Sequence, residues 1–179
     1  KAMLDYYKDG TSPFYKTDHH WITSGAFCAY NALGETLGFE PLDEENFHKT
    51  VHSGFCGTTY SSSGYFLRDA DTLEVWESKK SKNITVEIFE GQKSTKYDSM
   101  YFEEHLSEPD MYPVFLDGNH PLVKIQNPDA EGGKLLVLKD SFAHALTPFL
   151  AENYSEIVMV DMRYYKESIS ELCKQEGIE

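Results

Sequence analysis

Asp18, His19 and His20 stand side by side ahead of Trp21 in "YKTDHHWITSGAFCAYNAL", and Ser141 follows a lysine and an aspartate in "LLVLKDSFAHA". Three readings are open to such residues. A histidine oriented by a carboxylate can take the proton of a serine hydroxyl, which is the logic of acyl transfer through a serine nucleophile. Two imidazoles and a carboxylate can instead hold a metal ion, with His48, His52, His120 or His144 as further ligands. The third reading is a solvated turn that happens to contain histidines. If the segment is extended, Asp18 and His20 point to one side and His19 to the other, because side chains alternate along a strand. Asp18 then accepts from one ring nitrogen of His20 and leaves the other free to take a proton. The metal reading lacks a second ligand pattern of the H-E-x-x-H kind.

The elements around these residues decide which of them can meet. "KLLVLKD" carries a continuous apolar run, as a buried parallel strand does. "SFAHALTPFLAEN" has helical spacing, with Pro148 requiring a loose first turn or a kink, and "SEIVMVD" is a second buried strand. Strand, helix and strand form a βαβ unit with a right-handed crossover. Ser141 falls where its first strand ends and its helix begins, outside the carboxyl end of the strand, where ligands of open α/β sheets bind. A helix start offers free N–H groups and a positive dipole end to an oxyanion. Asp140 or Ser141 would equally serve there as a helix cap, with no chemistry at all.

Upstream, Ile22, Ala26, Ala29, Tyr30, Leu33 and Leu37 mark one apolar helix face, capped by Thr23 or Ser24 and ended by Gly38. The pattern suggests a second helix over 42–51 and a long Gly/Ser/Thr-rich loop over 52–66. "NITVEIFE" alternates like a half-buried strand, and Asp117-Gly118 reads as a hairpin turn between two apolar runs. "KESISELCKQ" reads as a final helix.

The whole chain limits the function classes. Its 179 residues suit a single domain. With 16 basic against 30 acidic residues the net charge is −14, and no basic stripe offers itself to nucleic acid. No stretch has the length of a membrane span, and no signal peptide is present. The first residue is Lys1 rather than Met, which reads as a trimmed or processed piece. Cys28, Cys56 and Cys173 form no C-x-x-C pair, so a structural zinc site is not expected; a Cys28–Cys56 bridge stays open.

Taken together, "YYKDGTSPFYKTDHHWITSGAFCAYNAL", "FLDGNHPLVKI" and "LLVLKDSFAHALTPFLAENYSEIVMVDMRYY" resemble the DHHW protein family of Gram-positive bacteria, over residues 14–165. That family is related to the SGNH-like domains of alginate and cell-wall polysaccharide O-acetyltransferases. The resemblance implies an SGNH-hydrolase-like three-layer α/β/α domain over residues 1–179, with a mainly parallel sheet. Related domains carry further strands before the matching motif, so the sheet is expected to be incomplete at its N-terminal side. The resemblance also assigns roles. The T-D-x-H-W motif of the relatives supplies acid and base, matching Asp18 and His20, and their D-S motif supplies the nucleophile, matching Ser141. The SGNH Gly-Asp-Ser block stands here as Lys139-Asp140-Ser141, without its glycine. Asn119 or Gly118, with the N–H of Ser141 or Phe142, would form an oxyanion hole, although Asp-Gly-Asn is also an ordinary turn. Trp21, Tyr60 and Tyr65 could stack on sugar faces. Asp161 and Arg163 fit the family pattern as an ion pair or a binding edge. The implied activity is acetyl transfer to or from a polysaccharide through an acetyl-serine, without cofactor or metal. Its implied partners are a carbohydrate acceptor and an acetyl donor, the latter supplied by a membrane-bound acyltransferase. The implied location is the cell surface or beyond, with membrane anchoring through a segment not in this chain. A metal-dependent hydrolase and an inactive glycan-binding module remain as alternatives. The DHH phosphoesterases share three of the letters but place further aspartates in motifs this sequence lacks.

Overall fold

The computed structural model describes residues 6, 7, 10, 12–64 and 69–178. Helix α1, Thr23–Leu37, forms on the expected apolar face, with Ala26, Phe27 and Tyr30 buried. Gly38 ends it in the left-handed region, at φ 76°, and its N–H donates to Gly34 O. Neither proposed cap is made. Thr23 Oγ1 donates to Glu74 O at 2.6 Å, and Ser24 Oγ meets the Tyr6 hydroxyl at 2.9 Å.

Residues 42–51 are not helical. A single 3-10 turn, Glu44–Asn46, leads into strand β1, Phe47–Phe55, which pairs antiparallel with β2, Asp71–Ser78. Only Phe47 and Phe55 of β1 are buried, so a helix here would have had little apolar face to bury. The alternating partner "DTLEVWES", with Leu73, Val75 and Trp76 in the core, supplies a ladder instead. The loop expected over 52–66 contains the end of β1 and a short helix, α2, Thr58–Ser63.

A second sheet has five strands in the order β4-β3-β5-β7-β6. They are β3 (Thr85–Glu90), β4 (Lys93–Tyr97), β5 (Leu122–Gln126), β6 (Lys134–Lys139) and β7 (Glu156–Asp161). The mainly parallel sheet that the resemblance implied does not form, although the βαβ unit does. Only β6 and β7 run parallel, and the other three ladders are antiparallel. β6 lies at the edge of the sheet with Leu138 54% exposed, so its apolar run does not mark a fully buried strand. The Asp117-Gly118 hairpin is also absent. Tyr112–Val114 is a 3-10 turn, Leu116 and Asp117 take left-handed φ values of 59° and 58°, and β5 pairs with β3 and β7.

Between β6 and β7 runs α3, Ala143–Leu150, buried along its whole length. It opens through Ala143 N–H to Asp140 O and His144 N–H to Ser141 O, a tight entry, and carries Pro148 inside it. Phe27, Phe47, Trp76 and Phe149 pack ring against ring where α1, α3 and the β1–β2 sheet meet. On the other face of the large sheet Leu122, Val158 and Val160 meet Leu172 of α4, Ile169–Glu176. No disulfide links Cys28, Cys56 and Cys173. Among the described residues, no helix is long and apolar enough to cross a membrane.

Candidate active site

The segment carrying Asp18 and His20 is a looped bend rather than a strand. Phe14 and Trp21 bridge across its base, with Tyr15 N–H donating to His20 O and Ile22 N–H to Pro13 O. Asp71, at the start of β2, pins the tip. Its Oδ2 accepts from Lys16 N–H, Thr17 N–H and Thr17 Oγ1 at 2.7–2.8 Å. Asp18 and His20 therefore meet through a local turn and not through strand alternation. Asp18 Oδ1 accepts from the backbone N–H of His20 at 2.8 Å and faces His20 Nδ1 at 2.5 Å.

Asp18 Oδ2 is held from the other side by the N–H and Oγ1 of Thr58, both at 2.9 Å, at the first turn of α2. Burial alone would raise the Asp18 pKa. The hydrogen bonds from His20 and Thr58 outweigh it and hold the carboxyl well below the usual range, so Asp18 is ionised at neutral pH. Gly57 makes room for this carboxylate. A Cβ at that position would lie within about 2.4 Å of Asp18 Cβ and Oδ2.

An ionised Asp18 accepts only, so Nδ1 of His20 carries the proton and Nε2 faces outward as a base. Nε2 lies 2.7 Å from Ser141 Oγ, across 121 residues of sequence. Neither Asp140 nor Ser141 makes a side-chain cap on the helix. Asp140 Oδ1 accepts from Phe142 N–H at 3.0 Å, which leaves the Ser141 hydroxyl to His20. The Tyr112 ring lies flat on His20, with centroids 3.7 Å apart and planes within 6°, and its hydroxyl donates to Ser141 O at 3.1 Å. Burial lifts the Tyr112 pKa well above the usual phenol value, so it stays a donor. Asp110, whose pKa burial also raises, accepts from Tyr112 N–H.

His19 does not face away as strand alternation required. Its ring lies 3.9 Å from that of His20, and its Nδ1 meets Thr58 Oγ1 at 2.8 Å. Two of the nominated oxyanion donors are bonded elsewhere, and the Asn119 side chain is engaged through its oxygen. Gly118 N–H donates to Phe115 O, Phe142 N–H to Asp140, and Asn119 Oδ1 accepts from Arg163 Nη2 at 2.9 Å. Trp21 packs edge-on against Phe142 at 5.4 Å. Tyr60 lies on α2 with its N–H on Thr17 O, and Tyr65 falls outside the described residues.

A second polar cluster sits behind the Ser141 turn. Lys139 Nζ lies 2.6 Å from His144 Nε2 and 3.1 Å from Asp161 Oδ2, and Arg163 grips the same carboxylate at 2.6 Å. Burial, and then the Lys139 charge, press the His144 pKa far below its usual value, so that ring is neutral. Burial would raise the Asp161 pKa, but Arg163 and Lys139 bring it well below the usual range. Asp161 and Arg163 thus form the ion pair that one of the two sequence readings named.

Among the described residues, the one group of three or more His, Cys, Asp or Glu close enough to share a metal ion is Asp18, His19 and His20. His120 pairs with Glu90 and His144 with Lys139, and His48 and His52 lie on β1, so none of them joins it. Thr58, Gly57 and Tyr112 are the residues sequence reasoning missed. None of them belongs to a chemical motif, and only the fold brings them to the site.

The sequence model of the DHHW protein family matches residues 6–160. A DHHW family protein from Eubacterium siraeum has a similar structure, with 27% identity and a TM-score of 0.83, covering 99% of this chain and 59% of that one. PatB1 of Bacillus cereus carrying a sulfonyl adduct is 21% identical, with a TM-score of 0.79, over 98% of this chain and 62% of its own. A second PatB1 structure is 20% identical, with a TM-score of 0.75, over 98% and 65%. The chain therefore spans less than two thirds of the length of each of these proteins. No curated protein matches it.

Proposed function

The chain belongs to the DHHW protein family, and on that premise we propose that it performs serine-dependent acyl transfer on a carbohydrate, as an O-acetyltransferase or O-acetylesterase of a cell-surface or secreted polysaccharide. One observation carries this reading: Ser141 Oγ lies 2.7 Å from His20 Nε2, while Asp18 holds His20 Nδ1. The sequence resemblance to O-acetyltransferase domains supplies the acetyl group and the glycan. We read the mixed sheet, with α1 and α3 on one face and α4 on the other, as a variant of the three-layer SGNH arrangement.

His20 Nε2 takes the Ser141 hydroxyl proton as Oγ bonds to the acetyl carbonyl carbon. The bond from that carbon to the donor oxygen breaks, and the donor leaves with the proton from His20. A sugar hydroxyl, or water, then gives its proton to His20 and attacks the acetyl-serine. Ser141 departs and recovers its proton. Asp18 stays ionised throughout and stabilises the imidazolium. Ser141 N–H, at the head of α3, serves the oxyanion, with Asn119 Nδ2 as the side-chain donor the sequence nominated. Such a substrate lies outside the cell, which sets the proposed location at the surface, with a membrane-bound acyltransferase as the source of acetyl groups.

The test is release of 4-nitrophenol from 4-nitrophenyl acetate, with and without a polysaccharide acceptor, together with mass analysis after phenylmethanesulfonyl fluoride. An adduct on Ser141 and turnover that EDTA does not abolish are expected. A protein that neither turns over nor forms the adduct would be the inactive glycan-binding module instead. The metal reading has one geometric support, the closeness of ligand atoms on Asp18, His19 and His20. Against it, Asp18 Oδ1 and His20 Nδ1 are already spent on each other. Loss of activity with EDTA and recovery with zinc or manganese would transfer support to it.

A further inference from the structure

We propose that Tyr112 is a positioning residue that ties His20 and Ser141 into one rigid unit and stabilises the imidazolium formed during acyl transfer, an inference that rests on the serine mechanism above. Two contacts from a single side chain carry it. The phenol face covers the imidazole at 3.7 Å with the planes within 6°, and the hydroxyl donates to the carbonyl of Ser141 at 3.1 Å. One ring thus touches the base and the backbone of the nucleophile.

The stacking geometry favours the charged state of His20. Neutral aromatic pairs prefer edge-to-face or well-offset contacts, because parallel faces oppose like quadrupoles. A cation over a ring face is attracted by the same quadrupole. A near-parallel stacked contact therefore gains when His20 accepts the serine proton, which is where catalysis needs the gain. By the usual strength of such contacts this is worth about 2- to 30-fold in rate.

Tyr112 is itself fixed. It is 4% exposed, its N–H donates to Asp110 Oδ1, and Phe115 N–H closes on its carbonyl in the 3-10 turn. Phe115 packs edge-on against its ring at 5.4 Å. The left-handed residues Leu116 and Asp117 follow directly, so the chain turns away as soon as the ring has been delivered. Nothing in the sequence around "DMYPVFLDG" shows this role, since an aromatic before proline reads as core.

The experiment compares Tyr112→Phe, Tyr112→Leu and Tyr112→Met, reading the second-order rate of sulfonylation by phenylmethanesulfonyl fluoride and the kcat and KM for 4-nitrophenyl acetate. Phe keeps the face and loses the hydroxyl; Leu and Met lose both, and Met has enough bulk to preserve the fold if Leu does not. Sulfonylation and kcat should fall less than about tenfold in Tyr112→Phe, the loss of one neutral hydrogen bond. They should fall about 2- to 30-fold further in Leu or Met, with KM within twofold of wild type. Equal rates in Phe and Met overturn the proposal, since the π face would then do nothing. A raised KM with unchanged kcat also overturns it, making Tyr112 a substrate contact. If the wild-type protein is not sulfonylated at all, the serine mechanism has failed, and that outcome is distinct from a failure of Tyr112 alone.

Discussion

Two buried histidines lie near the Ser141 turn, and each ends a chain that begins at an aspartate. Asp18 faces His20 directly, while Asp161 reaches His144 through Lys139. In the first chain an anion accepts the ring proton, so the outer nitrogen keeps its lone pair and meets the Ser141 hydroxyl. In the second a cation donates to the ring, so the lone pair is spent and added charge is opposed. The first also ends on a hydroxyl, and the second ends in a helix that is buried along its whole length. Residue type does not separate these clusters. The sign of the nearest charge and what the second nitrogen meets do.

The comparison breaks first at Ser141. Ser141→Ala should reduce acetyl release by at least about 10⁴-fold, because the three groups act as a unit. The fold should hold, with melting unchanged within the range of an ordinary surface change, since the Ser141 side chain makes no cap on the helix and its backbone bond to His144 survives in alanine. Asp18→Asn should cost about as much. An amide oriented to donate to Nδ1 favours the wrong tautomer and loses the charge that stabilises the imidazolium. Retained turnover in either variant would make the Asp18 chain as inert as the Asp161 chain.

Gly57→Ala tests the placement of the carboxylate without changing its chemistry. The new methyl group must push Asp18 off Thr58 or off His20, because it would otherwise sit about 2.4 Å from the carboxylate. A displacement near 1 Å at a reacting group costs about 100-fold in rate. Activity should fall by about that factor while far-UV circular dichroism is unchanged. A fall below about threefold would mean that α2 simply shifts, and that the Thr58 contacts do not set the geometry.

The C-terminal third could be read from sequence because its signals are local. The apolar runs of "KLLVLKD" and "SEIVMVD", with a helical segment between them, require only one another, and β6, α3 and β7 follow. The rest of the sheet depends on partners far away. β5 lies between β3 and β7, so its direction is decided by ladders that no nearby residue announces. Residues 47–55 become a strand because β2 accepts them, a tertiary choice that overrides local pattern. At the site, Asp18, His20 and Ser141 were nominated by type and resemblance, and the structure brings them together. The route was misjudged, since a pinned bend and not a strand joins Asp18 to His20. Thr58 and Tyr112 carry no motif, and a contact made by a backbone N–H or a ring face leaves no mark in sequence.

Lys139→Met probes the second cluster, where stability rather than rate should change. Removing one partner of a buried pair costs up to about 3–5 kcal/mol, reduced here because Arg163 stays on Asp161. Acetyl release per folded molecule should stay within a few fold of wild type. Acid sensitivity sharpens the test. The Asp161 pKa is lowered in the folded state, so its stabilisation is complete above the ordinary value of 3.8 and is lost as pH falls below it. Without Lys139 the pKa is lowered less, so less stability remains to be lost. Urea unfolding at pH 7 and pH 3 should show a smaller drop for Lys139→Met than for wild type. An equal drop would mean that Arg163 alone sets the ionisation of Asp161.

His19→Ala should do least. His19 makes its hydrogen bond to Thr58, whose hydroxyl donates to Asp18 Oδ2 and accepts from His19 Nδ1, and its ring lies beside that of His20. The ring is half exposed, with 51% of its side chain accessible, and Asp18, His20 and Ser141 keep every mutual contact without it. Losing one neutral hydrogen bond at this distance predicts a fall of about 2- to 10-fold in kcat/KM. His20→Ala should cost nearly as much as Ser141→Ala, because an unassisted serine hydroxyl is a poor nucleophile. The gap between the two histidine variants is therefore the most direct reading of the site. If both variants stay folded and lose activity equally, and EDTA removes the wild-type activity, the two imidazoles work together with Asp18 around a metal ion. Their ligand atoms, within 4.8 Å of one another, would then be a coordination set and not a proton relay.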